Sequence, residues 1–195
     1  MNLGSVDTRE AENDMFHIMA VDDEPSILNA LRRNLNSLDD DKGQAIPIQL
    51  DCFSDPFAAL EAADKKAYDA VISDYRMPGM NGVEFLMFFR TKQPDAVRIV
   101  LSGFADFEGI IAAINDAQIF RYVSKPWHEG ELKHALRQSL ATRALMLENI
   151  RLADLVRAEQ LRVDKQTQIL KRLEEETPGI TKVKWGPNGE VLLDD

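Results

Sequence analysis

The stretch YDAVISDYRMPGMNGVEFLMFFRTK, Tyr68 to Lys92, contains a complete unit of strand, loop and helix. Its apolar segment AVI shows no alternation with polar residues, which is expected of a strand that is covered on both faces of a parallel sheet. The Pro and Gly residues of RMPGMNG predict a turn, and the apolar run that follows them predicts a helix. Asp74 stands where the strand ends, at a position where packing alone requires no charge.

Similar units lie on both sides of this stretch. The other predicted strands are MFHIMAV, IPIQLDCF, VRIVLS and IFRYVS, and the helices that follow them are PSILNALRRNLNSL, DPFAALEAADKK, FEGIIAAINDA and a helix that opens near His128. Five strands that alternate with five helices are typical of a parallel sheet with helices on both faces. The sequence therefore predicts an α/β domain over residues 15–140.

The composition limits the class of protein. The 195 residues are 45% hydrophobic, which is enough for one core of ordinary size, and the net charge is −10. This charge disfavours direct binding to nucleic acid, so a protein partner or a cation is expected. Cys52 is the single cysteine, which excludes a disulfide within one chain and favours a buried thiol in a reducing, cytoplasmic setting.

The two ends of the chain differ in character. Residues 1–14 are polar and aperiodic, so they are expected to form a disordered tail, and they lack the features of a signal peptide. No run of about 18 apolar residues occurs anywhere in the chain, so membrane insertion is not expected. Residues 178–195 contain the segments ITKVKW and VLL on either side of GPNG, which predicts a terminal β-hairpin.

The fifth helix is expected to continue beyond the domain, because the sequence between Gly130 and Pro178 has neither Gly nor Pro. Residues recur at heptad spacing over 141–177, which predicts a coiled-coil extension that joins two copies in a homodimer. The alternative is a single solvated helix with scattered leucines. The a positions are Asn149, Val156, Val163 and Leu170, and the d positions are Leu145, Leu152, Glu159, Gln166 and Leu173.

Polar side chains follow four of the predicted strands, at the edge of the sheet where ligands bind in this class of fold. Three carboxylates at one edge repel one another unless a hard cation gathers them, and oxygen ligands without His favour magnesium. One carboxylate can then attack a phosphoryl group, while an ammonium and a hydroxyl stabilise the phosphoryl oxygens. Taken alone, each Asp is typical of a helix cap or a turn, the Ser of a turn and the Lys of a solvated surface, but the ordered set favours a site. The set is Asp22, Asp23, Asp74, Ser102 and Lys125.

The motifs VDDEP, SDYRMPGMNG, LSG and YVSKPW resemble, in this order, those of the response-regulator receiver domains of two-component signalling. This resemblance covers residues 15–140 and implies a flavodoxin-like, doubly wound, five-stranded parallel sheet with the strand order 2-1-3-4-5. It also implies that a sensor histidine kinase phosphorylates Asp74. The expected magnesium ligands are Asp22, Asp23, Asp74 and the backbone carbonyl of Arg76.

The same resemblance assigns roles to residues after the last two strands. It implies that Ser102 and Lys125 bind the phosphoryl group and that the peptide bond from Lys125 to Pro126 is cis. Tyr122 matches the aromatic switch position, whose ring is expected to turn inward when Ser102 engages the phosphoryl group. Residues beyond about 145 resemble no effector family, so the output protein that the coiled coil would contact is left open.

Two alternatives belong to other classes. A haloacid-dehalogenase-type phosphatase also uses a strand-end Asp with magnesium, but that family typically has a second acid two residues later, where this chain has Arg76. A pseudo-receiver scaffold would bind its partners without phosphate. The complete set of acids, hydroxyl and lysine argues against this scaffold.

Overall fold

A five-stranded parallel sheet forms the centre of the protein. The computed structural model describes residues 15–40, 42–103, 117–179, 184–185 and 191–192. The sheet has the strand order 2-1-3-4-5, so the prediction of a flavodoxin-like sheet is confirmed. Its strands are β1 (Phe16–Val21), β2 (Ile48–Phe53), β3 (Ala70–Asp74), β4 (Val97–Ser102) and β5 (Arg121–Ser124).

Helices follow the strands at residues that suit a helix start. Asp55 caps α2 by accepting the N–H of Phe57 at 3.0 Å. Asn81 and Glu84 form a capping box at the start of α3, because each side chain accepts the backbone N–H of the other residue. The predicted helix FEGIIAAINDA lies outside the described residues, apart from Ala117. The described helices are α1 (Pro25–Asn34), α2 (Pro56–Ala63), α3 (Gly82–Lys92) and α4 (Glu129–Glu176).

The connection between α1 and β2 differs from the prediction in detail. The sequence indicated one strand, IPIQLDCF, whereas the structure begins β2 at Ile48 and pairs Ala45–Ile46 with Leu38–Asp39 in a separate antiparallel ladder. Pro47 lies between the two segments, and its missing N–H interrupts a strand at that point. The connection between α1 and β2 therefore contains a short antiparallel pair of its own.

Apolar side chains form a core on each face of the sheet. Because side chains alternate along a strand, Ile18 faces one core and Met19 faces the other. Leu31 of α1 belongs to the first core and Phe85 of α3 to the second, and both side chains are fully buried. Full burial of a Leu or Phe side chain contributes about 1.5–3 kcal/mol. The strand ends are thus held by packing on both faces.

The helix α4 is 48 residues long, as the sequence predicted, which corresponds to about 70 Å. The chain divides into two compact units, residues 1–147 and 148–195. In the first unit α4 buries Leu132, Leu136 and Leu140, whereas no described side chain of the second unit is buried. The coiled coil stays a prediction.

The terminal segment contains two short paired strands. Lys184–Trp185 and Val191–Leu192 form an antiparallel pair, which is the pairing that a hairpin requires. Across the parts of the chain that the structure describes, we find no helix with both the length and the apolar character needed to cross a membrane.

Candidate functional site

The carboxyl ends of four strands meet at one edge of the sheet. Asp74 is the last residue of β3 and Ser102 is the last residue of β4, while Asp22 directly follows β1 and Lys125 directly follows β5. Neighbouring parallel strands lie about 4.8 Å apart, which brings the side chains at their ends close together. The structure thus gathers the residues that the sequence places at separate strand ends.

Three carboxylates form the acidic part of this site. Asp22, Asp23 and Asp74 offer oxygen atoms that lie within 4.8 Å of one another. Asp22 is fully buried, Asp74 is 7% exposed and Asp23 is half-buried. Burial raises the pKa of Asp22, and hydrogen bonds from Lys125 and from the Glu24 N–H offset this effect only in part. A group of oxygen donors alone fits a hard divalent cation such as Mg²⁺.

Lys125 bridges two of these carboxylates. Its Nζ lies 2.7 Å from Oδ2 of Asp22 and 2.7 Å from Oδ1 of Asp74, and its side chain is 18% exposed. Burial alone would lower the pKa of this ammonium, but the hydrogen bonds to Asp22 and Asp74 outweigh burial and raise the pKa. Lys125 therefore remains protonated at neutral pH and neutralises part of the acidic group.

The backbone of Asp74 is held by contacts that the sequence did not reveal. The Ser73 hydroxyl donates a hydrogen bond to the Asp74 carbonyl oxygen at 2.9 Å, and the Tyr75 N–H donates to the carbonyl of Leu101 at 2.8 Å. Gly82 passes so close that a Cβ on it would lie 1.9 Å from the Asp74 carbonyl oxygen. The NG pair at the start of α3 was the available signal, but it predicts only a turn or a cap.

The remaining predicted residues lie at the same edge of the sheet. Ser102 is 1% exposed, and its hydroxyl donates to the Gly103 carbonyl at 3.0 Å. The hydroxyl of Tyr122 lies 3.5 Å from the Ser102 carbonyl oxygen, so this contact is long for a hydrogen bond. The peptide bond from Lys125 to Pro126 is cis. Arg76 lies in the loop after β3, and metal binding by its carbonyl remains a prediction.

Comparisons with known proteins agree with this geometry. A family model described as response regulator receiver domain matches residues 18–137. The hydrogenase transcriptional regulatory protein HoxA of Cupriavidus necator is 37% identical over 66% of this chain and 25% of its own length. The cyclic di-GMP phosphodiesterase response regulator RpfG of Xanthomonas campestris is 28% identical over 82% of this chain and 43% of its own length. The chain therefore spans less than half the length of these two relatives.

A solved structure shows the same likeness. The signal receiver domain of an HD domain-containing protein from Pseudomonas fluorescens superimposes with a TM-score of 0.59 and 34% identity. The superposition covers 67% of this chain and 98% of that domain. The similarity therefore extends over almost the whole of that receiver domain.

Proposed function

The chain belongs to the family of response regulator receiver domains, and from this premise we propose that it is a magnesium-dependent phosphoacceptor switch. In this proposal a sensor histidine kinase in the cytoplasm phosphorylates Asp74. The observation that supports it most is the group of three carboxylates, Asp22, Asp23 and Asp74, of which Asp22 and Asp74 also contact the ammonium of Lys125. A structural ion pair alone would not need three carboxylates at one strand edge.

The proposed reaction uses side chains of this chain in distinct roles. A carboxylate oxygen of Asp74 forms a bond to phosphorus while the bond from phosphorus to the donor's imidazole nitrogen breaks, and the imidazole leaves. Lys125 exchanges a carboxylate partner for a phosphoryl oxygen, and the Ser102 hydroxyl donates to another. Asp22, Asp23, Asp74 and the Arg76 carbonyl would hold a magnesium ion, which would neutralise charge on the phosphoryl oxygens.

Phosphorylation of Asp74 is tested with magnesium and a small phosphodonor. We expect one base-labile phosphoryl group per chain in the intact mass, and none in Asp74→Asn, because an amide is a far poorer nucleophile than a carboxylate. Asp64→Asn is the matched control, since Asp64 is exposed and pairs with Lys92 away from the site. Equal modification of Asp74→Asn and the wild type would disprove the assignment.

The same experiment separates the alternatives. A receiver is expected to take up about one phosphoryl group and to release it slowly, whereas a haloacid-dehalogenase-type phosphatase would turn over many equivalents of donor. A pseudo-receiver scaffold would not be modified. We expect no reaction beyond the formation and hydrolysis of the aspartyl phosphate.

We further propose that α4 joins two copies in a coiled coil and that this homodimer contacts a protein partner. The apolar heptad residues of α4 are between 40% and 69% exposed in the single chain, so their hydrophobic surface is available to a second copy. Charged residues on the outer face pair within the helix, as Arg157 does with Asp154 at 3.0 Å. Burial of the apolar stripe against a second copy is therefore expected to contribute most of the free energy of association. The stripe consists of Leu145, Leu152, Val156, Val163, Leu170 and Leu173.

The dimer is tested with two substitutions of the same chemistry. Leu152→Ser removes a d-position side chain, and loss of about 1.5–3 kcal/mol of burial in each copy predicts at least a hundredfold weaker dimer. Leu161→Ser is the control, because Leu161 lies at the outward f position and is 71% exposed. Sedimentation equilibrium measures both dissociation constants. A monomeric wild type, or equal weakening by both variants, would contradict the coiled coil.

A further inference from the structure

Arg143 connects α4 to the edge of the sheet opposite the acidic site. Its Nη1 lies 2.9 Å from Oδ1 of Asp69, and its Nε donates to the backbone carbonyl of Asp95 at 2.9 Å. The two side chains of the ion pair are only 19% and 20% exposed, so water screens this pair less than a surface pair. We call this set of contacts the Arg143 latch.

Asp69 is a rigid partner for the arginine. Its second carboxylate oxygen accepts the backbone N–H of His17 at 2.7 Å, and its own N–H donates to the His17 carbonyl at 2.8 Å. Its carbonyl accepts the N–H of Val97 at 2.9 Å. Asp69 is thereby fixed to the starts of β1 and β4 before Arg143 contacts it. An ion pair with a fixed partner loses less conformational entropy when it forms.

Apolar packing holds this turn of α4 only weakly. Leu140 is the last buried residue of α4 in the described part of the chain. Arg143 itself lines two pockets that are open to solvent. The position of residues 141–147 therefore depends on the polar contacts of Arg143.

The latch and the acidic site lie at the two ends of the same elements. Asp69 directly precedes β3, the fully buried five-residue strand that ends at Asp74. Lys125 lies four residues before Glu129, where α4 begins, and Arg143 follows about 21 Å further along the helix. A shift of Lys125 therefore acts on one end of this helix segment, while the latch resists movement of the other end.

We propose that the Arg143 latch holds residues 141–147 on the sheet in the resting protein, and that its opening carries a change at Asp74 to the distal part of α4. The second half of this proposal rests on the function proposed above for Asp74. The latch itself affects the local stability of residues 141–147, and this stability can be measured without phosphorylation.

Hydrogen exchange of the full chain tests the latch directly. Arg143→Gln keeps a helix-forming side chain but removes the charge, and we expect about tenfold faster exchange of the amides of residues 141–147. Arg151→Gln is the matched control, because Arg151 also lies on α4 but is 74% exposed and forms its ion pair with Glu148 of the same helix. Equal exchange in the two variants would overturn the latch.

A second variant removes the charge of Asp69, the residue with which Arg143 forms its ion pair. Asp69→Asn keeps an oxygen that can accept the His17 N–H but loses the charge that Arg143 contacts. We expect it to accelerate exchange in 141–147 as Arg143→Gln does, and the double variant to add little, because both substitutions remove one interaction. Full additivity of the two effects would show that Arg143 and Asp69 act independently, and this result would contradict the proposed latch.

Beryllofluoride, a phosphoryl mimic, tests the opening step. In the wild type we expect slower exchange around Asp74 and faster exchange in 141–147, whereas Arg143→Gln should be fast already and change little. Protection around Asp74 without any change in 141–147 would overturn the opening step. If beryllofluoride changes hydrogen exchange in neither protein, the proposed function of Asp74 fails together with the opening step. The comparison of Arg143→Gln with Arg151→Gln still tests the latch in that case.

Discussion

Substitution of Gly82 by alanine is the sharpest test of how the protein positions Asp74. The added Cβ would lie 1.9 Å from the carbonyl oxygen of Asp74, 2.8 Å from its carbonyl carbon and 3.0 Å from Cα of Tyr75. All three atoms belong to the backbone, so no side chain can rotate away. Ordinary contact begins near 3.4 Å, so the loop and the start of α3 must separate by about 1.5 Å.

This separation has two measurable consequences. Overpacking of a rigid region costs about 1–3 kcal/mol, and we expect a value near 3 kcal/mol because only backbone can move. The displaced group carries the proposed phosphoacceptor, and a misplacement of about 1 Å can slow a reaction about a hundredfold. Urea unfolding measures the first effect, and the rate of phosphorylation by a small donor with magnesium measures the second.

Gly130→Ala is the matched control for this experiment. A Cβ at Gly130 would meet nothing within 4 Å, and Gly130 lies in the first turn of α4. The same chemical change should therefore leave phosphorylation intact and stabilise the protein by up to about 1 kcal/mol through helix propensity. A Gly82→Ala protein that unfolds and reacts like the wild type would refute the reasoning.

Three further predictions concern charged groups. Asp23→Ala removes an oxygen ligand and relieves repulsion, so magnesium affinity should fall at least tenfold while the metal-free protein becomes more stable; an unchanged calorimetric titration would contradict this. Lys125→Met leaves two carboxylates without their cation, which should cost about 3–5 kcal/mol in metal-free urea unfolding and less with magnesium. The third concerns pH. Burial opposes a low pKa for Asp51, but hydrogen bonds from Lys66 and Tyr68 lower it, so the stability that this carboxylate contributes should be lost as pH falls below about 4. Burial and the bond to Asp51 raise the pKa of Tyr68, so its contribution should be lost above about pH 10, and unfolding curves of Tyr68→Phe should lack this alkaline loss.

The sheet could be predicted from the sequence because its strands are covered on both faces. The runs AVI and IVL are apolar without interruption, and polar residues mark the strand ends. The start of β2 was placed too early, since an apolar Ile on each side of Pro47 hid the break in the ladder. The periodicity of α4 predicted a long helix, but the same pattern suits a solvated helix and a coiled coil, so it does not decide association.

The strand-end residues of the candidate site could be predicted from the sequence, but the loop contacts around them could not. Residues at the carboxyl ends of parallel strands converge whatever the loops do, so Asp22, Asp74 and Lys125 could be assigned to one place from their positions alone. The closeness of Gly82 to the Asp74 carbonyl depends on the path of the loop between them, which no spacing rule gives. Contacts between residues far apart in sequence, such as Arg143 with Asp69, leave no local signal.

Lys125 links the chemistry of the site to its need for a cation. In the resting protein its ammonium compensates both Asp22, which is fully buried, and Asp74. If Lys125 turns to a phosphoryl group on Asp74, Asp22 loses this partner, and an uncompensated buried charge costs about 3–5 kcal/mol. A divalent cation between Asp22 and Asp23 would remove that cost. We therefore expect the phosphorylated state to depend on magnesium for its stability, beyond any effect of the cation on the rate at which that state forms.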